Sequence, residues 1–109
     1  MTKHEYVQRV LDAYRLMPGA SGVVRRNDRL LAAQLFDRAI PLPAIENAIL
    51  LAAARRLYRR PDAPPLQPVR SLHYVLPVLD EVLRTAVSED YYRYVRFKLD
   101  QAVKNKPNA

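Results

Sequence analysis

The segment of residues 30–60, LLAAQLFDRAIPLPAIENAILLAAARRLYRR, most constrains what this chain can fold into. It contains the longest unbroken apolar run, residues 48–54, and its spacing is that of α-helices. Pro41 and Pro43 interrupt that spacing, because proline lacks a backbone donor and fixes φ at about −65°. The segment therefore predicts two helices joined by a short turn. The second is apolar around most of its circumference, which is typical of a central core helix.

The spacing around this turn resembles the helix-turn-helix pattern. Leu35 lies on the first helix, and the small Ala39 stands at the turn, where such motifs usually have glycine. A helix that reads DNA bases must present polar side chains over its first turns. Only Glu46 and Asn47 provide them here, which counts against the simplest groove-reading arrangement.

Composition indicates an ordinary globular protein. Half of its 109 residues are hydrophobic, 27% are charged, and the length is sufficient for one core. No cysteine is present, which excludes disulfides and thiol chemistry. The amino terminus lacks the apolar stretch of a secretory signal, and no apolar run approaches the roughly 20 residues that span a bilayer. We expect a single helical domain over residues 1–104, a disordered tail over residues 105–109, a cytoplasmic location and no membrane contact.

Helical spacing predicts five helices. Thr2 with Glu5 has the spacing of a capping box, and Ser88 is placed to cap the last helix. No alternating strand pattern of useful length occurs. The expected helices cover about residues 3–16, 28–39, 43–59, 71–83 and 89–104.

Pro77 lies inside the apolar pattern of the fourth helix. Proline in a helix interior removes a hydrogen bond and clashes with the preceding turn, so it kinks the helix. We expect a kink because the apolar stripe keeps its phase across Pro77. The alternative is a separate turn over residues 72–74, with the main helix beginning near Pro77. The predicted fold class is all-α, a compact five-helix bundle with a helix-turn-helix-like central pair and a kinked fourth helix.

Residues suited to catalysis or metal binding are sparse. His4 and His73 have no partner at ligand spacing, and with two glycines the chain has no glycine-rich phosphate loop. Asp80 and Glu81 are neighbours, but neighbours on a helix point about 100° apart and do not share a proton. The sequence therefore predicts a protein that is not an enzyme and has no cofactor and no metal.

Arginine is the strongest functional signal. The net charge is +7, and between residues 25 and 60 eight arginines face three acids. Arginine suits phosphate and guanine better than lysine does. A genome rich in G and C also raises arginine content, so the excess has a compositional alternative. The predicted nucleic-acid-binding residues are Arg25, Arg26, Arg29, Asn47, Arg55, Arg56, Arg59, Arg60, Arg93, Tyr94 and Arg96.

Tyrosines accompany these arginines. Tyr58 lies within the third-helix cluster, and Tyr91, Tyr92 and Tyr94 lie on the fifth helix. A mixture of aromatic rings and arginines suits stacking on single-stranded bases. The alternative is core packing, which we favour for Tyr91, whereas Tyr94 is the best candidate for an exposed ring.

The run PVRSLHYVLPVLDEVL (residues 68–83), preceded by AILLAAARR (residues 48–56), resembles a small helical module of bacterial mobile-element and plasmid proteins that occurs beside replication functions. The resemblance covers residues 30–99. It implies handling of nucleic acid in replication or mobility, and it implies no catalytic residue.

Two main hypotheses follow. The first is a non-enzymatic nucleic-acid-binding domain, for DNA more than RNA, which grips phosphates with arginines. The second is a protein–protein interaction module within a larger complex. A third hypothesis is a helix that binds to a membrane surface. The sequence pattern supports it less than the other two, because the last helix lacks an exposed apolar stripe beside its charges. Arginines gathered on one face, tested at Arg25, Arg55, Arg59 and Arg96, favour the first hypothesis, and scattered ones favour the second. The sequence leaves the oligomeric state open.

Overall fold

A computed structural model describes residues 1–59, 62–85 and 87–104 of the chain. These residues form five α-helices and, within the described ranges, no β-strand, so the predicted all-α five-helix bundle is confirmed. The predicted tail over residues 105–109 lies outside the described residues. The helices are α1 (Lys3–Arg15), α2 (Arg26–Asp37), α3 (Leu42–Leu57), α4 (Leu76–Arg84) and α5 (Glu89–Lys104).

Helix α3 lies at the centre of the bundle, as its apolar circumference predicts. It packs against α1, α4 and α5, whereas α2 packs mainly against α1. Ile45 and Ala48 are fully buried, and Ile49 is 5% exposed. Alanine over much of α3 lets its neighbours approach closely, because a small side chain keeps helix axes near each other.

The turn between α2 and α3 contains a left-handed residue at Ala39, the position where helix-turn-helix motifs usually have glycine. Ala39 has φ 58°, a conformation that glycine adopts more readily than alanine. The Ile40 N–H donates to the Leu35 carbonyl at 3.1 Å, and the Ala39 N–H donates to the Phe36 carbonyl at 2.9 Å. These bonds close the end of α2. Because α3 packs against α1, α4 and α5, it does not protrude from the bundle as a reading helix.

The expected kink at Pro77 is wrong, and the alternative arrangement is observed. A 3-10 turn (Leu72–Val75) precedes α4, which begins at Leu76 with Pro77 in its first turn. At that position the missing N–H has no helical partner in any case, so proline is tolerated without a break. The Ser71 hydroxyl accepts from the His73 N–H at 3.1 Å and starts the 3-10 turn.

Asp28 fixes the beginning of α2 and is 1% exposed. One carboxylate oxygen accepts from the Arg25 N–H at 2.9 Å, and the other accepts from the Leu72 N–H at 2.8 Å. Helix α2 begins at Arg26, two residues before the predicted start, so Asp28 lies in its first turn. The same carboxylate ties α2 to the 3-10 turn, and its charge adds to burial in raising the pKa of Tyr14.

The segment that leads to the 3-10 turn lies against the loop after α1. The Val69 N–H donates to the Gly19 carbonyl at 2.8 Å, and the Ser21 N–H donates to the Val69 carbonyl at 2.8 Å. This single parallel bridge pairs Ala20 with Val69, which is buried. The proline-rich connector, where it is described, is thus held to the bundle at its end.

Candidate ligand-binding groove

An open groove of about 360 Å³ runs between α3 and α5, and we call it the tyrosine groove. A second depression of about 290 Å³ adjoins it and shares Leu51, Arg55 and Tyr91. The second depression extends past Glu81 toward the α4–α5 connection. The tyrosine groove is lined by Leu51, Ala54, Arg55, Tyr58, Tyr91, Tyr94, Val95 and Lys98.

Helical spacing places these side chains together. Leu51 and Arg55 are four residues apart on α3, and Tyr58, which directly follows α3, is three residues further on, so the three side chains lie along one side. On α5, buried Val95 faces the core, and Tyr91 and Tyr94 lie at the edge of that buried face. The groove forms where the least buried strip of α3 meets the edge of α5.

The three tyrosine rings of the groove are half-exposed. The exposed fractions are 55% for Tyr58, 48% for Tyr91 and 60% for Tyr94. The Tyr58 hydroxyl donates to the Lys98 carbonyl at 2.9 Å, which joins the end of α3 to α5 and fixes the ring. The Tyr91 ring meets buried Tyr92 edge to face, with centroids 5.8 Å apart. Two rings of the groove are therefore held in place from inside the protein.

The structure confirms Tyr94 as an exposed ring and shows that core packing for Tyr91 is wrong. Tyr92 is the buried residue, at 6% exposure, and it lies with Val95 and Leu99 against the bundle. Tyr91 is four residues before Val95 and Tyr92 is three residues before it, and Leu99 follows four residues later. Either tyrosine could therefore share one helix face with Val95 and Leu99. Sequence spacing alone did not distinguish the two tyrosines.

Arg55 is paired with Glu81 where the two depressions meet. Its guanidinium donates from Nη1 to Oε2 at 2.7 Å and from Nη2 to Oε1 at 2.9 Å, the two-pronged geometry of a strong arginine–carboxylate pair. Hydrogen bonding from Arg55 lowers the pKa of Glu81, and the same bonds raise the pKa of Arg55. Arg55 thus reaches the groove with its charge already paired.

Arg56 is bound to the protein's own backbone and a neighbouring ring. Its Nη2 donates to the Gln67 carbonyl at 2.7 Å, and the guanidinium lies 5.5 Å from the Tyr74 ring centroid. Gly19 passes so close that a Cβ there would lie 2.8 Å from Arg56 Nε. Arg56 therefore joins α3 to the connector, the 3-10 turn and the loop after α1.

The rest of the predicted α3 cluster does not form a free basic face. Arg59 Nη1 donates to the Pro64 carbonyl at 2.8 Å, and Arg59 lines a separate depression with Leu66 and Val103. Arg60 lies outside the described residues. Asn47 is half-buried on α3. The predicted phosphate-binding arginines of α3 are thus largely occupied within the protein.

The other predicted site residues are spread over the surface. Arg25, Arg26 and Arg29 are exposed, and none of them makes an ion pair with a carboxylate within the described ranges. Arg93 pairs with Asp90 at 3.4 Å. Arg96 lines a third depression, with Met17 and Leu50 among others. Arg55, Arg59 and Arg96 therefore line three different depressions rather than one face. This scatter disfavours an arginine face that grips phosphates and is the arrangement expected for a protein-interaction module.

Of the residues that line the tyrosine groove, only Arg55 and Tyr94 were in the predicted site, and two charged residues of this region, Lys98 and Glu81, were absent from it. Lys98 lies four residues after Tyr94 on the same helix, so its spacing could have placed it beside that ring. Glu81 is 26 residues from Arg55, and no local pattern connects the two.

The described residues contain no group of three or more histidine, cysteine, aspartate or glutamate side chains that could hold a metal ion. His73 Nδ1 lies 3.1 Å from the Ser71 hydroxyl.

Among the described helices, none combines the length and apolar character needed to cross a membrane.

Comparison with other proteins identifies no relative of this chain: no family model matches it, and no curated protein or solved structure is detectably similar. The resemblance of residues 30–99 to a mobile-element module stays a prediction.

Proposed function

We propose that this domain binds nucleic acid without catalysing a reaction, and that the tyrosine groove is its contact surface. The observation that carries the proposal is the convergence of Tyr58, Tyr91 and Tyr94 with Lys98 and Arg55 in one groove. Half-exposed rings provide stacking surfaces, and the charged residues lining the groove are both basic. A net charge of +7 attracts a polyanion to the surface.

This proposal changes the predicted binding mode. Arg56 and Arg59 donate to backbone carbonyls of the connector, so a phosphate clamp formed by the α3 arginines would have to break those contacts. Stacking on the tyrosines needs no such rearrangement, because the rings already face solvent. We retain DNA as the expected ligand and replication or mobility of a bacterial mobile element as the expected setting; the setting rests on the sequence resemblance alone.

The test is fluorescence anisotropy with labelled oligonucleotides at low salt. Lys98→Ala should weaken binding and reduce the salt slope by about 0.7–0.9, the contribution of one neutralised phosphate. The matched control is Arg84→Ala, which also removes one exposed cation, but from an ion pair with Asp80 outside the groove. No binding at roughly 100 μM protein, the weak end of non-specific affinity, would contradict the proposal. An equal loss from both variants would contradict the groove as the contact surface.

A second candidate is a protein–protein interaction module. The observation that favours it is the internal engagement of Arg55, Arg56 and Arg59, which leaves few free cations beside the groove. Leu51 and Val95, with the tyrosine rings, also resemble the apolar, aromatic centre of a protein interface. Salt dependence separates the two candidates, because binding through phosphates weakens steeply with salt, whereas binding through apolar contacts does not.

A further inference from the structure

We propose that the ligand of the tyrosine groove is single-stranded nucleic acid, whose bases stack on the groove tyrosines while Arg55 exchanges Glu81 for a ligand phosphate. This inference rests on the proposed function and specifies its substrate class. The recessed position of α3, the half-exposed rings and the Arg55–Glu81 pair each support it.

The position of α3 disfavours duplex DNA. Reading bases in a duplex requires an element that enters the major groove, which is roughly 12 Å wide. The exposed strip of α3 around Leu51 and Arg55 forms part of two depressions, which side chains of α4 and α5 complete. A helix set between two neighbours cannot follow the floor of a duplex groove. An unpaired strand can instead approach the depression from outside.

The tyrosine rings favour unpaired bases. In a duplex, both faces of each base are covered by neighbouring bases, whereas a single strand can place a base face against an aromatic ring. Tyr94 is the most exposed of the three groove rings. Tyr58 and Tyr91 are held by contacts with Lys98 and Tyr92, so little ring motion has to be lost on binding. Leu51, Ala54 and Val95 supply the aliphatic part of the groove lining.

The Arg55–Glu81 pair is suited to exchange. Both side chains are about half-exposed, at 54% and 55%, so solvent and a ligand can reach them. Phosphate accepts the same two-pronged donation that the Glu81 carboxylate accepts. Exposed ion pairs contribute little to stability, so giving up the pair opposes binding only weakly. Glu81 then acts as an internal competitor for the phosphate.

The first experiment compares the binding of a labelled single strand with that of a hairpin duplex of equal phosphate number, at one low salt concentration. The single strand is an oligothymidylate of about 12 nucleotides, within the usual range of single-strand site sizes. The single strand should bind more tightly. Tyr94→Leu should weaken single-strand binding roughly tenfold, within the effect of losing one stacked base, and Tyr94→Trp should retain it. The matched control is Phe97→Leu, because Phe97 lies on the same helix, is 58% exposed and does not line the tyrosine groove.

The second experiment compares Glu81→Gln with Asp80→Asn. Each variant removes one acidic charge from α4, but Asp80 pairs with Arg84 at 2.7 Å, whereas Glu81 holds Arg55. Glu81→Gln should therefore tighten single-strand binding several-fold more than Asp80→Asn. Equal tightening would overturn the exchange at Arg55.

Duplex binding as tight as single-strand binding, or binding unchanged in Tyr94→Leu, would overturn the single-strand inference. Nucleic-acid binding itself would then still stand, and the comparison of Lys98→Ala with Arg84→Ala would decide separately whether the groove is its contact surface. Absence of binding to either oligonucleotide would overturn both.

Discussion

Three arginines near the end of α3 and three at the start of α2 are similarly dense in sequence, but the two sets have different surroundings. Arg55, Arg56 and Arg59 bond to Glu81, Gln67 and Pro64, in that order. The set at α2, Arg25, Arg26 and Arg29, is exposed and makes no ion pair with a described carboxylate. Arg56 and Arg59 of the first set tie α3 to the connector, and Arg55 pairs with Glu81 at the surface. The second set contributes positive charge at the surface.

The difference follows from what each set adjoins. The connector after α3 is rich in proline, and its Pro64 and Gln67 carbonyls accept from Arg59 and Arg56 of the first set. The start of α2 is held by the buried carboxylate of Asp28, which leaves the adjacent arginines without a structural task. A count of charges in a sequence therefore predicts charge density and not which charges are available to a ligand.

The largest expected effect is that of Asp28→Ala. The substitution would leave the buried backbone N–H of Leu72 without a partner, at about 1–3 kcal/mol, and would remove the acceptor of the part-buried Arg25 N–H, at about 1 kcal/mol. Urea unfolding should therefore show a loss of about 2–4 kcal/mol. A loss below about 1 kcal/mol would mean that Asp28 does not hold α2 and that the contrast with α3 is wrong.

Arg56→Ala should have an intermediate effect. It removes a charge-assisted hydrogen bond to the Gln67 carbonyl and the contact with the Tyr74 ring, together about 1–3 kcal/mol. Arg26→Ala, which removes the same side chain from an exposed position of the α2 set, should change stability by no more than about 0.5 kcal/mol. Equal effects of the two substitutions in urea unfolding would remove the distinction between the sets.

The smallest expected effect concerns pH. Hydrogen bonding from Arg55 lowers the pKa of Glu81 in the folded protein, so the unfolded chain binds this proton more readily. The contribution of the pair is therefore present above the unfolded pKa of about 4.3 and is lost as pH falls through the folded value. Between pH 7 and pH 3, Glu81→Gln should lose slightly less thermal stability than the unmodified chain. An identical fall in Tm would show that the pair adds nothing to the fold.

Much of the fold could be predicted from sequence because its signals are local. Caps, prolines and apolar spacing predicted the five helices, and the bounds of α5 agree with the predicted ones. The error at Pro77 has a local cause as well, since a 3-10 turn followed by a helix keeps the apolar residues nearly in phase.

The candidate site was harder to predict because its contacts are not local. Arg56 reaches a carbonyl 11 residues away, and Arg55 reaches a carboxylate 26 residues away, so spacing within α3 could not show that either was engaged. Tyr94 was recognised as exposed, but the groove around it depends on how α5 packs on α3. That packing is a property of the whole bundle.

The most direct test asks which region a ligand touches. We would titrate the isotopically labelled protein with a short oligothymidylate and follow backbone amide chemical shifts by NMR. The largest changes should occur at the tyrosine groove, at Tyr58, Tyr91, Tyr94 and Lys98, with smaller changes at Arg25, Arg26 and Arg29. Changes centred on those three arginines, with the groove unaffected, would contradict the assignment of the groove as the binding surface.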